Sequence, residues 1–496
     1  MCARCLRTYR PVGRAAELRK GDDLMGEGDA PLEWGSGTEL NAFEVLMWRA
    51  ESDRSLSSTI CMLEELDARP DWDRFVAAHD WATRMVPRFR QRIVEPPLGL
   101  GAPRWTADED FDLRYHLRRY SVPGDGGWDE LLQVVTALAM TPFDRNRPTW
   151  EAVLIEGLPD GKVAYLLKMH HIMTDGLGAM RLLGNLHSGR RGPSTDKPQP
   201  PPSEQRAATP FDALVEQVRS DIGAVPGFLG SAGSTVLSAV RDPKGALRYG
   251  QSLRRVLTPP PTTGSPLLAR RGLAWHLAAL DVSMADLKAA GKAAGGSLND
   301  AFLAALLGGY RRYHESMGAS VPATIPVAIP VSVRKAGDPE GGNRISSARL
   351  AAPLAERDPV RRVVDVRAQV LSAKGEVAGD IVGTFSPALA RLPGVLIAPL
   401  VGQMTKGNDL QASNVPGLQG EVFLAGAKVE RMYGMGPLPG CAAMISIISH
   451  GPVGCVGINL DPAAFTEPRL FVDSLVEGFA EVLELCPGST VPVARR

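Results

Sequence analysis

The run His170-His171-Ile172-Met173-Thr174-Asp175-Gly176 brings together residue types suited to acid–base chemistry. Imidazole is the side chain whose ordinary pKa suits a general base near neutral pH. Residues 163–169 read as a strand and a helix-like stretch opens at Gly176, so a strand end would deliver histidine into a loop. Neighbouring side chains on a strand point to opposite faces. His170 and His171 are therefore expected to divide their work, one chemical and the other structural. The same geometry argues against a metal centre, because adjacent histidines seldom converge on one ion and no third ligand sits at H-E-x-x-H spacing. Asp175 has two duties open to it, capping the following helix or pairing with an arginine to hold the loop. Gly176 and Gly178 allow close backbone approach or a positive φ. Taken alone, a histidine pair at a strand end also fits a packed polar cluster with no chemistry.

The elements that must position this run can be read from periodicity and punctuation. Thr38 is placed to cap a helix carrying Leu40, Phe43 and Met47. A strand is expected over 58–63 and a helix over 72–85, stopping before Pro87. Residues 192–210 are packed with Pro, Ser and Gln, and can form neither a helix nor a central strand. After Pro259-Pro260-Pro261 strands alternate with helices: strands over 275–282, 325–333 and 444–448, helices over 283–294, 298–313 and 467–485. Asn299 and Asp300 stand at the mouth of the second of these helices, as its starting residues or as ligand contacts. The sum is an α/β protein in two halves: an extension over 1–35 without apolar period, a first half over 36–190, a Pro-rich and helical linker over 191–265, and a second half over 266–496.

Composition narrows the function classes. A chain of 496 residues is too long for one ordinary core. Lys plus Arg equals Asp plus Glu at 55 each, so no global field draws in nucleic acid. The C-x-x-C of Cys2 and Cys5 has no second pair at zinc-ribbon spacing, and Cys61, Cys441, Cys455 and Cys486 read as small core residues. A reducing compartment fits that usage. The most apolar stretches, 222–240 and 388–404, are broken by Pro and Arg, which argues against a spanning helix.

The neighbours of the histidine run carry a resemblance. His-His-x-x-x-Asp-Gly is similar to the signature of the CoA-dependent acyltransferase superfamily. Pro142-Phe143-Asp144-Arg145-Asn146-Arg147-Pro148-Thr149-Trp150-Glu151 and Asp110-Phe111-Asp112-Leu113-Arg114-Tyr115-His116 resemble segments of the bacterial wax ester synthase/diacylglycerol acyltransferase family. So do Val86-Pro87-Arg88-Phe89-Arg90, Ser297-Leu298-Asn299-Asp300, Pro330-Val331-Ser332-Val333-Arg334 and Ser413-Asn414-Val415-Pro416-Gly417. These blocks follow one another in the family's order from about residue 38 to 485. Departures from it include three positions. Thr149 stands where leucine is usual, Met444 where asparagine is usual, and His450 where tyrosine is usual. The last two lie near the expected acceptor side and bear on substrate preference.

The resemblance implies a two-domain, chloramphenicol acetyltransferase-like fold in which each half is a mixed β-sheet flanked by helices, with the active site at their interface. It implies transfer of a fatty acyl group from acyl-CoA, as co-substrate, to the hydroxyl of diacylglycerol or a long-chain alcohol, with no further cofactor and no metal. By motif match His171 is the base, while His170, Asp175 and Gly176 support the loop. Asn299, Asp300, Pro148, Trp150, Ser332, Arg334 and Asn414 are expected to bind substrate or to build the site's walls. Asn299 and Ser332 are the candidate oxyanion donors, and an Asp175–Arg334 pair would hold the loop. A cytoplasmic location follows, with docking on the inner membrane face or on lipid inclusions. Two other readings stay open: a condensation-type enzyme using carrier-bound acyl groups, and a lipid-binding relative without catalysis.

Overall fold

The computed structural model describes residues 37–97, 102–193, 261–332, 345–377, 394–486 and 493–496, together with 197, 199, 200, 342 and 343. The expected N-terminal extension, most of the linker and Arg334 lie outside the described residues.

The first half opens with α1 (Ala42–Ala50), followed by β1 (Thr59–Leu66), α2 (Trp72–Met85), the short pair β2 (Gln91–Val94) and β3 (Arg104–Ala107), α3 (Leu113–His116) and β4 (Leu117–Ser121). It continues through α4 (Trp128–Met140), β5 (Trp150–Glu156), β6 (Val163–His170) and α5 (Gly176–Leu186). Local sequence sets several of these ends. Asp71 caps α2 by accepting from the Arg74 N–H, and the helix stops at Val86 ahead of Pro87. The cap of α1 is Asn41 rather than Thr38. Asn41 accepts from the Glu44 N–H while the Glu44 carboxylate accepts from the Asn41 N–H, a reciprocal box that Thr38 has no partner to form.

The second half contains β7 (His276–Ser283), α6 (Met284–Ala293), α7 (Leu298–Ser316), β8 (Thr324–Ser332), β9 (Ile345–Pro353), α8 (Pro359–Val377) and α9 (Gly394–Thr405). It ends with β10 (Leu410–Val415), β11 (Phe423–Leu424), β12 (Ala427–Met435), β13 (Ala443–His450), β14 (Val453–Leu460), α10 (Pro468–Leu483) and β15 (Ala494–Arg495). Ser283 caps α6, and Ser297 with Asp300 forms the capping box of α7.

Two mixed sheets result. One has six strands in the order β11-β12-β1-β6-β5-β4, with only β4 and β5 parallel. The other has seven in the order β15-β7-β14-β13-β10-β8-β9, with β10 parallel to both β13 and β8. The hairpin β11–β12 comes from the second half yet completes the first half's sheet, pairing β12 with β1 from Cys61↔Met435 to Leu66↔Val429. The two halves also share a core, in which Leu131 and Val135 of α4 join Leu277 and Ala279 of β7. Residues 413–417 begin as the end of β10. Leu410 and Ala412 point into the core, while Gln411, Ser413 and Val415 on the opposite face line a cavity.

Candidate active site

β6 is buried along its whole length and runs between β1 and β5. It ends at His170, and a single tight turn, His171–Met173, leads to α5. The two histidines part at that junction. His170 is 1% exposed and packs edge-on against Trp48, with ring centroids 5.4 Å apart. Its Nδ1 accepts from the Ile172 N–H at 3.1 Å, and its Nε2 lies 3.2 Å from Glu51 Oε1. Burial would raise the Glu51 carboxyl, but His170, the Ser58 N–H and Arg145 outweigh it and hold Glu51 at about 2. Arg145 reaches Glu51 at 3.2 Å while lying over the Trp48 ring. His170 thus belongs to a closed polar cluster.

His171 is half-buried and lines a cavity of about 580 Å³ between the halves. Its backbone N–H donates to Ser58 O at 2.8 Å. Its ring nitrogen Nδ1 lies 2.9 Å from Asn343 Oδ1, and Asn343 Nδ2 donates to the His171 carbonyl at 2.5 Å. Burial holds the imidazole below its ordinary value of 6.5. Its own carbonyl, Asp175 and Asn343 pull the other way, and His170 adds to the depression. The ring is therefore neutral at pH 7, as a proton acceptor must be.

Asp175 takes the first of its two expected duties: its Oδ1 accepts from the Gly178 N–H at 2.8 Å and caps α5. A Cβ on Gly176 would come 3.1 Å from Val415 Cγ2, so glycine here lets the start of α5 lie against β10 of the other half. The cavity wall is largely apolar and rich in methionine, including Met47 of α1, Met62 of β1, Met180 of α5 and Met444 of β13. Arg349 adds a cation whose pKa is lowered by burial. Cys61 and Cys441 also face the cavity, and burial pushes both thiols up to about 12.

Of the residues singled out in the sequence, the cavity gathers His171, Asp175, Gly176, Ser332 and Asn414. Of the other described candidates, it does not gather His170, Pro148, Trp150, Asn299 or Asp300. Asn299 and Asp300 lie at the start of α7, where Asp300 accepts from the Ser297 N–H at 2.7 Å and pairs with Arg367. Trp150 is buried in β5, donates from Nε1 to Phe89 O at 2.8 Å, and stacks on His116 with centroids 4.5 Å apart. The Pro148-Thr149-Trp150 segment runs beside the end of β6, and Thr149 O accepts from the His170 N–H at 3.0 Å. It therefore props the strand that delivers the histidines. Asn343 went unnoticed in the sequence, although Gly341-Gly342 before it signals a tight turn.

Residues 40–302 match the family model for the wax ester synthase/diacylglycerol acyltransferase catalytic domain, and residues 341–483 match that family's C-terminal domain. The chain belongs to this family. It is 40% identical over 460 residues to a putative diacylglycerol O-acyltransferase of Mycobacterium tuberculosis H37Rv, covering 91% of this chain and 92% of that protein. A probable diacylglycerol O-acyltransferase of Mycobacterium tuberculosis CDC 1551 is 29% identical over 396 residues, covering 78% of this chain and 82% of that protein. Among solved structures, the wax ester synthase/diacylglycerol acyltransferase of Marinobacter aquaeolei VT8 superposes with a TM-score of 0.60 at 23% identity, covering 90% of this chain and all of that one. The first condensation domain of the calcium-dependent antibiotic synthetase gives 0.57 at 17% identity, covering 92% and 98%; both likenesses speak to the fold.

Set against the family pattern, the three departures separate. Met444 lines the cavity, so an apolar wall stands where the family usually offers an amide. His450 lies elsewhere, buried with its Nε2 2.9 Å from Val429 O. Thr149 is buried in the segment beside β6.

Proposed function

We propose that this member of the wax ester synthase/diacylglycerol acyltransferase family moves a fatty acyl group from acyl-CoA to the hydroxyl of diacylglycerol or of a long-chain alcohol, with His171 as general base. The observation that carries the reading is the neutral imidazole of His171 at the wall of a largely apolar cavity shared by both halves. A neutral alcohol attacks a thioester poorly at pH 7. His171 takes the hydroxyl proton as the oxygen bonds to the thioester carbonyl carbon. Collapse of the tetrahedral intermediate breaks the carbon–sulfur bond, and the imidazolium returns its proton to the departing CoA thiolate. The acyl group passes directly to the acceptor. A thiol near 12 is protonated at neutral pH, so neither Cys61 nor Cys441 competes as a nucleophile.

The apolar wall suits two substrates that both carry long hydrocarbon tails. Ser332 lines the cavity and Asn299 does not, which favours Ser332 of the two oxyanion candidates. Both substrates carry long apolar tails, so they would be drawn from a lipid surface by reversible docking; among the described residues no helix is long and apolar enough to cross a membrane. Incubating the purified protein with palmitoyl-CoA and either dioleoylglycerol or hexadecanol tests the reading. Triacylglycerol or wax ester should accumulate with equimolar free CoA. Lipid binding without turnover on either acceptor would point instead to a non-catalytic relative.

A further inference from the structure

We propose, resting on His171 as the base, that Asn343 is a positioning residue for the transfer reaction, holding His171 in the tautomer that leaves its lone pair on Nε2. The orientation of the Asn343 amide is fixed by what it touches. The His171 carbonyl can only accept, so the Asn343 atom 2.5 Å from it is the amide nitrogen. The amide oxygen is then the atom 2.9 Å from His171 Nδ1. An amide oxygen can only accept as well, so Nδ1 carries the ring proton and Nε2 the lone pair. When Nε2 takes the alcohol's proton, positive charge spreads over the ring. The bond from Nδ1–H to Asn343 then becomes charge-assisted and strengthens in the transition state.

Asn343 is itself held on every side. It is 4% exposed; its N–H donates to Glu44 Oε1 at 3.0 Å, and its carbonyl accepts from Asn41 Nδ2 at 3.3 Å. Gly342 before it has φ +66°, and a Cβ there would sit 3.1 Å from Glu44 Oε1, so the turn calls for glycine. Asn41 and Glu44 are the capping box of α1, the helix that also supplies Phe43 and Met47 to the cavity. Asn343 falls within the region matched by the C-terminal domain model, 341–483, whereas His171 falls within 40–302. The base is thus oriented by the opposite half of the protein. The charged or titratable groups around the ring are Asp175, which favours the imidazolium, and His170, which opposes it; Glu51 lies beyond His170 and Glu44 beyond Asn343.

The test is steady-state kinetics with palmitoyl-CoA and hexadecanol from about pH 5 to 9 on Asn343→Ala, Asn343→Asp and His171→Ala, with 15N spectra of the His171 ring. Asn343→Ala should lower kcat about 10–100-fold with both KM values within about twofold, the scale of one charge-assisted hydrogen bond. It should cause no further loss in a His171→Ala background, because the two residues act as one unit. Asn343→Asp keeps an acceptor for Nδ1 and adds negative charge but loses the donor to the His171 carbonyl, so it should recover part of the activity lost in Asn343→Ala above neutral pH and move the acid limb upward. The ring should be protonated at Nδ1 in the wild type and a tautomer mixture in Asn343→Ala. The proposal is overturned if Asn343→Ala keeps its kcat, or if both Asn343 variants lose activity alike while the ring keeps one tautomer. If Asn343→Ala is unaffected while His171→Ala is inactive, Asn343 alone is misassigned. If His171→Ala stays fully active, the base assignment fails too.

Discussion

His171→Ala is expected to lower kcat for ester formation by about 10²–10⁴-fold, the usual contribution of a positioned general base. Stability should change little. The half-buried ring makes one side-chain hydrogen bond, to Asn343, while the backbone bonds to Ser58 and Asn343 remain. Losing a bond of about 1 kcal/mol moves a thermal midpoint by only about 2–4 °C. His170→Ala should do the reverse. It removes a partner from the half-buried Glu51 and opens a hole against Trp48 and Phe143, so destabilisation of about 2–4 kcal/mol is expected. Kinetics and thermal melts of the two variants, side by side, separate the chemical histidine from the structural one. Equal losses of activity at equal losses of stability would contradict that division.

Met47→Trp should shorten the chain that the protein accepts. Met47 is half-buried on α1 and faces the cavity, so an indole there fills space rather than displacing the core. Each methylene kept out of an apolar site forfeits about 0.8 kcal/mol. Excluding three would reduce the preference for long over short chains by about 50-fold in kcat/KM. The measurement is a chain-length series on each side, butyryl- to palmitoyl-CoA with one alcohol and butanol to hexadecanol with one acyl-CoA. The series that shifts identifies the tail lodged beside α1. If neither ratio moves, the cavity does not house a substrate tail. The methionine-rich wall, which adapts its shape at little cost, predicts broad length tolerance in the unmutated protein.

Much of this was legible in the sequence because it is local. The helix over 72–85 is bounded by Asp71 and by Val86-Pro87, and each signal acts within a few residues. The Ser297-x-x-Asp300 box marks α7 in the same way. Asp175 as a helix cap follows from its place one residue before Gly176. What escaped is set by partners distant along the chain. Residues 413–417 look like a loop because Ser, Asn, Pro and Gly favour turns; only the parallel pairing to β13 shows that 413–415 close a strand whose Ser413 and Val415 line the cavity. The insertion of β12 beside β1 joins positions on opposite sides of the linker, and nothing in either strand's own composition announces it. Asn343 is 172 residues from His171, and the Gly-Gly-Asn turn says where the chain bends but not what the amide will meet.

The pH dependence of kcat/KM on the wild type and on the residual activity of His171→Ala tests most directly whether this imidazole is the base. Burial holds its pKa below 6.5, and only the unprotonated ring can accept the alcohol's proton. The wild-type rate should therefore be level above neutral pH and fall as pH drops through the lowered pKa. Asp409, which burial pushes up to about 6, titrates in the same range, but it is held by Ser265 and Arg271, and any limb it causes would persist without His171. An acid limb that vanishes in His171→Ala is the predicted result; a limb unchanged by the substitution would contradict it.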